Sequence, residues 1–342
     1  GNVFFIFFMQ YNKIMQETIH LLDRRLMAAE TFLLGLANGK TGFSIYFYHQ
    51  SRMTGNKEYK LHAQKLLTGV IENISRFRDY DMKTGLPGIG LGIDYLIDNK
   101  YVKGNINEIL QDVDSELFKH LDKQEQPDLT TPLLVYYFAV RLKKQKTGSE
   151  KEQIFKDLII QGINNLSEKM TPMLFEETLL FSMENPLAQL LYVLSCCFEI
   201  HPVKIEKTLK ELTPYIVSKL PYLQVNRLLM LWIAYSINRK LRHKEWETYI
   251  KVLLKNMDIK YMIQTEMRGR SIYFADGLPA LYFLLSQTRN CFTDSELELY
   301  NLLIIGKIAD SPEWEHLLQD EEYFKAMSGL YSGYCGTSLL LK

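Results

Sequence analysis

Cysteine is scarce, charge is balanced and no apolar run is long, and each shortage removes a class of protein. The 342 residues include only four cysteines, Cys196, Cys197, Cys291 and Cys335. That is too few for a disulfide scaffold, and the adjacent pair is badly placed to bond to itself. A reducing compartment is therefore expected, and the chain reads as cytoplasmic. The longest strictly apolar runs, Leu133–Val140 and Leu228–Tyr235, have eight residues, whereas a membrane-crossing helix needs roughly 20. No membrane span is expected. Forty Lys and Arg meet 40 Asp and Glu, so the net positive charge on which nucleic-acid binders rely is missing. Nucleic acid is set aside as a partner. The apolar opening Val3–Phe8 lacks the basic flank and cleavage site of a signal peptide and reads as a packed or frayed arm.

What the chain does have is apolar material, 47% hydrophobic and 12% aromatic, enough for a large core. Two kinds of segment alternate along it. One is amphipathic, as in Lys57–Arg78, where Leu61, Leu66, Val70, Ile74 and Phe77 fall on one helical stripe. Such segments cover about 11–33, 57–78, 107–121, 150–168, 203–219, 243–256 and 294–308. The other kind is apolar nearly all round and opens at Gly39, Gly85, Thr131, Asn185, Val225, Asp276 and Gly333. A helix without a wet face must be covered on most sides, so these seven belong inside. No run of alternating strands is present.

Seven outer-inner helix pairs recurring every 40 to 57 residues describe a repeat array in which each pair buries its apolar face against neighbours. Closing the array removes the ends that an open solenoid would have to cap. The expected fold is all-α, an (α/α)7 barrel or toroid, with residues 1–342 forming a single domain. Parallel inner helices direct their partly positive N-termini to one mouth. Long connections at about 169–184, 257–275 and 309–332 arrive at that mouth, where excess loop material points to binding. At the opposite end stand Arg141–Lys146, Arg239–Lys244, His49 and Arg52. These cations either complement helix C-termini or form a phosphate or partner patch.

Several motifs fail on spacing. Gly39-Lys40-Thr41 follows no strand, and a phosphate loop would want glycine where Leu34 stands. Gly85, Gly88, Gly90 and Gly92 lack the dinucleotide-binding pattern. No histidine pairs with cysteine at metal-ligand spacing. Cys196 and Cys197 read as core, while Cys335 sits near the mouth. The carboxylates Asp128, Glu176, Glu177, Glu184 and Asp276 precede or open inner helices. They can cap those helices, or a suitably spaced pair could perform acid-base work on a glycoside.

The motifs Leu36-ANGKTG-Phe43, Gly85-LPGIGLGIDYLI, Phe274-ADGLPALYFLL and Gly329-LYSGYCGTSLLL, read with the seven hairpins, resemble the lanthionine synthetase C-like cyclase family. The resemblance spans essentially the whole chain, although the third and fifth repeats have lost their glycines. It implies an (α/α)7 barrel and a role in peptide modification. In that family a mouth zinc activates a cysteine thiol of a precursor peptide for addition to a dehydrated Ser or Thr. Zinc ligands come from W-C-Y-G-x-P-G and C-H-G motifs, which align here with Phe274–Ala280 and Tyr331–Gly333. The ligand positions thus hold Ala275, Tyr331 and Ser332, and Glu184 stands near the place of an acid-base histidine. The resemblance therefore implies a member with no metal or other cofactor, whose barrel mouth (Asp128, Glu184, Asp276, Tyr331, Ser332 and Cys335) binds a precursor peptide or a peptide-maturation enzyme. The alternatives are an α/α-barrel enzyme with glycosidase-like acid-base chemistry and Glu184 and Asp276 as catalytic candidates, and, after it, an active lanthionine cyclase.

Overall fold

The structure, a computed structural model, describes residues 2–170, 180–269 and 271–341, except for the side chains of 2–13, 169 and 170. Outer helices are α1 (Asn2–Ala28), α3 (Lys57–Asn73), α5 (Gln111–Asp122), α7 (Glu150–Asn165), α9 (Pro202–Val217), α11 (Lys244–Lys255) and α13 (Asp294–Ala309). Inner helices are α2 (Lys40–Thr54), α4 (Leu86–Asp98), α6 (Thr131–Leu142), α8 (Pro186–Cys196), α10 (Gln224–Leu241), α12 (Leu278–Gln287) and α14 (Tyr334–Leu340). No strand occurs among the described residues. Each inner helix begins within two residues of the opening expected from sequence.

Local chemistry explains the boundaries. Three outer helices start at polar caps: Asn56 accepts from the Glu58 amide, Ser149 from Glu152, and Thr293 forms a capping box with Glu296. Six of the seven inner helices, all but α10, start on Gly or Pro, and incoming loops fold back closely there. A Cβ at Gly42 would run into the Leu36 carbonyl oxygen, and one at Gly88 into that of Met82, each six residues earlier. Only a residue without a side chain permits that approach.

Neighbouring inner helices pack in the order α2, α4, α6, α8, α10, α12, and α14 returns to α2. The ring is closed by more than packing. Tyr334 of α14 and Tyr46 of α2 both donate to Asp23 of α1, at 3.3 and 2.6 Å. The Tyr46–Asp23 bracket recurs in the third pair, where Tyr137 donates to Asp114 at 2.7 Å. In both an inner tyrosine reaches an outer aspartate 23 residues before it. Asp114 also takes the fully buried Arg141 guanidinium on both oxygens at 3.0 Å.

Three features depart from the sequence reading. The first outer helix runs back to Asn2, so the Val3–Phe8 arm is helical. The connection 309–332 holds two short helices, Glu313–Gln319 and Glu321–Ala326. Short π-helical stretches, Leu166–Met170 and Met262–Glu266, extend two outer segments.

Candidate functional site

Hydrogen bonds stitch the mouth connections to one another. The Ala37 carbonyl accepts from the amides of Leu330 (2.7 Å) and Tyr331 (3.2 Å), and the Ala37 amide donates to Lys83. Met183 donates to Ala275 at 2.9 Å. The loops opening α2, α4 and α14 therefore form one sheet-free rim segment, and those opening α8 and α12 form another. Backbone bonding of this kind fixes side-chain positions on a surface where loops are otherwise adaptable.

Three of the expected residues come together on this rim. The Tyr331 hydroxyl lies within electrostatic reach of both Glu184 and Asp276. Burial, followed by the Glu184 charge, pushes this phenol well above its ordinary range, so it stays a neutral hydrogen-bond donor. Lys83 from the α4 opening reaches Glu184 at 3.0 and 3.1 Å. Asp276 accepts from Ser271 at 2.8 Å. Ser332 is half-buried beside Tyr331.

The others lie elsewhere. Asp128 caps α6, accepting from the Thr130 amide (2.8 Å) and hydroxyl (2.6 Å) and the Thr131 amide. Burial alone would raise its pKa, but these bonds overcome that and lower it. This supports its reading as a helix cap. Cys335 is a correction: it is 0% exposed and does not line the mouth. As the second residue of α14 it turns toward the outer wall, where burial and then Asp23 push its thiol far up. Glu176 and Glu177 lie outside the described residues.

Sequence reading missed an aromatic file that continues from the rim around the inner helices. Ring centroids step from Tyr331 to Phe274 (5.7 Å), Phe283 (5.5 Å), Trp232 (5.4 Å), Tyr192 (4.8 Å) and Tyr136 (6.1 Å). Every member is half-buried, whereas core aromatics such as Tyr137 and Phe138 are at 0% exposure. The file thus faces the barrel axis. A signal existed: Tyr192, Trp232 and Phe283 each stand seven residues after their openings Asn185, Val225 and Asp276.

The rim does not fit a zinc ion. Ala275 offers no donor side chain, and Tyr331 and Ser332 are poor ligands beside thiolate or imidazole. Among the described residues no group of three or more His, Cys, Asp or Glu converges to hold a metal.

Together the ring and its rim define an (α/α)7 toroid with a polar mouth above an aromatic axis. No family model matches the chain, and no curated protein matches it. Among solved structures, nisin cyclase superposes with a TM-score of 0.62 over 96% of this chain and 93% of its own, at 15% identity. That likeness establishes the shared fold, as the resemblance in the sequence implied.

Proposed function

We propose that this protein binds a peptide in the cup formed by the rim and the aromatic file, as a non-catalytic or accessory component of peptide modification that does not carry out zinc-dependent thiol addition. The observation that carries this reading is Tyr331. It stands where the family resemblance places a metal-binding cysteine, lies within electrostatic reach of Glu184 and packs its ring near that of Phe274. A rigid aromatic with a polar tip is suited to binding rather than metal chemistry. Half-exposed rings below it offer apolar side chains a place to bury, and the rim carboxylates and Lys83 offer partners to a peptide backbone.

The experiment is to pan a phage-displayed random peptide library on the purified full chain. Enriched peptides are expected to lose at least roughly tenfold in affinity on Tyr331→Ala or Phe274→Ala. Failure to enrich any peptide, or enrichment indifferent to both substitutions, refutes the reading.

A second reading rests on Glu184 and Asp276 both acting on Tyr331, which puts two carboxylates on one rim for acid-base chemistry. It requires hydrolysis of aryl glycosides that both Glu184→Gln and Asp276→Asn abolish.

A further inference from the structure

One buried polar group in the wall of the toroid has no partner. Tyr48 of α2 is 2% exposed, and its hydroxyl makes no hydrogen bond among the described residues. A buried hydroxyl left unpaired costs about 1–3 kcal/mol, so the group calls for an occupant. One nitrogen of Arg141 is unpaired as well, yet that guanidinium bonds Asp114 through its other two nitrogens. The hydroxyl is the whole polar content of the Tyr48 side chain.

Tyr48 lines a groove of about 570 Å³ on the outside of the toroid, between α3 and the connection 101–103 that follows α4. Small-molecule sites commonly occupy about 300–1,000 Å³. Because α2 is an inner helix and α3 an outer one, Tyr48 meets this groove with the outer end of its ring, which carries the hydroxyl. Neighbouring contacts fix its place along the groove. Phe47 packs on Tyr59 at 5.6 Å, one residue before Lys60, and Tyr48 packs on Tyr101 at 5.6 Å, two residues before Lys103. Tyr48 therefore lies at the end that holds both lysines. Both are exposed and take part in no ion pair among the described residues. Helix polarity does not explain Lys60, which stands in the first turn of α3, at the partly positive end. Glu58 of the same turn does not line the groove and, two residues from Lys60, points to another face. The carboxylate that does line it, Glu72, stands further along α3, about 18 Å from Lys60 at about 1.5 Å per residue. Leu67, Ile71 and Val102 give the groove an apolar wall, with Ile71 43% exposed.

We infer that this groove binds a small organic carboxylate with an apolar body. The carboxylate accepts from the Tyr48 hydroxyl and pairs with Lys60 and Lys103, while the body covers Leu67, Ile71 and Val102. Such a ligand meets each feature at once: an unpaired donor, two unpaired cations beside it and an apolar wall beyond. A water molecule would satisfy the hydroxyl alone. The site lies on the outer wall, separate from the mouth and the aromatic axis.

The test is isothermal titration of the full chain with octanoate and with 4-phenylbutyrate, each below its micellar concentration. At least one is expected to bind once per chain, and its neutral counterpart, octanol or 4-phenylbutanol, at least roughly tenfold more weakly. Tyr48→Phe is expected to weaken carboxylate binding at least roughly tenfold, yet to leave the thermal midpoint of the free chain unchanged or higher, because it removes a hydroxyl that has no partner. Lys60→Ala/Lys103→Ala is expected to weaken binding similarly at the parent's midpoint. Binding of neither carboxylate, equal binding of the alcohols, undiminished binding to Tyr48→Phe, or a lower midpoint for free Tyr48→Phe overturns the inference.

Discussion

The Lys83 ammonium stands 3.0 Å from Glu184, tying the opening of α4 to that of α8, 101 residues further on. Between them in the ring lies α6, so the pair reaches over one inner helix and orients the carboxylate whose charge acts on Tyr331. Its two side chains are 44% and 41% exposed, and its role is positional. Lys83→Ala is expected to cost less than about 1 kcal/mol in urea unfolding while weakening binding of a peptide selected on the parent. A larger loss of stability would make the pair a structural element of the fold.

The opposite holds for Arg141 and Asp114, whose side chains are 0% and 2% exposed. Asp114→Ala leaves a buried guanidinium without its partner and is expected to cost about 3–5 kcal/mol. The variant Asp114→Leu/Arg141→Met/Tyr137→Phe, which also removes the buried hydroxyl that donates to Asp114, should recover most of it. Urea midpoints of the parent and the two variants decide this.

Two glycines should respond with opposite signs to the same change. Gly88→Ala forces a methyl against the Met82 carbonyl and is expected to lower the midpoint of thermal unfolding. Gly306, inside α13, has nothing within 4 Å of an added Cβ, so Gly306→Ala should stabilise by about 0.5–1 kcal/mol.

Acid sensitivity has an identifiable source at the end of the ring opposite the mouth. The His49 ring nitrogens meet the Tyr95 hydroxyl at 2.6 Å and the Tyr101 hydroxyl at 3.0 Å. Burial, then Arg52, lowers its pKa below the ordinary 6.5. The folded state therefore protonates later than the unfolded one. The stability this contributes is complete above pH 6.5 and is lost as pH falls through the lower folded value. His49→Gln should flatten the dependence of the urea midpoint on pH in that window.

The fold was legible because two sequence signals agreed: amphipathic stripes, as in Leu66, Val70 and Ile74, which are buried although Leu61 of the same expected stripe is 65% exposed, and apolar segments punctuated by Gly85 or Pro186 at their starts. The rim was partly legible, because the positions of Glu184, Asp276 and Tyr331 relative to their inner helices place them at the mouth. Side-chain direction was not. Cys335 is four residues from Tyr331, yet it turns to the outer wall, because the rotation of α14 about its own axis is set by contacts with α1 and α2 that no local pattern reports. The aromatic file escaped for the same reason. Tyr136 and Tyr137 are adjacent, yet one faces the axis and the other Asp114.

On the proposed reading, Ala275, Tyr331 and Ser332 stand where the family resemblance places metal ligands and supply none. Zinc content by inductively coupled plasma mass spectrometry, on the purified full chain and on the Ala275→Cys/Tyr331→Cys/Ser332→His variant, tests it most directly. The account predicts far less than one zinc per parent chain and close to one in the variant. A parent chain that holds one zinc, or a folded variant that holds none, would contradict it.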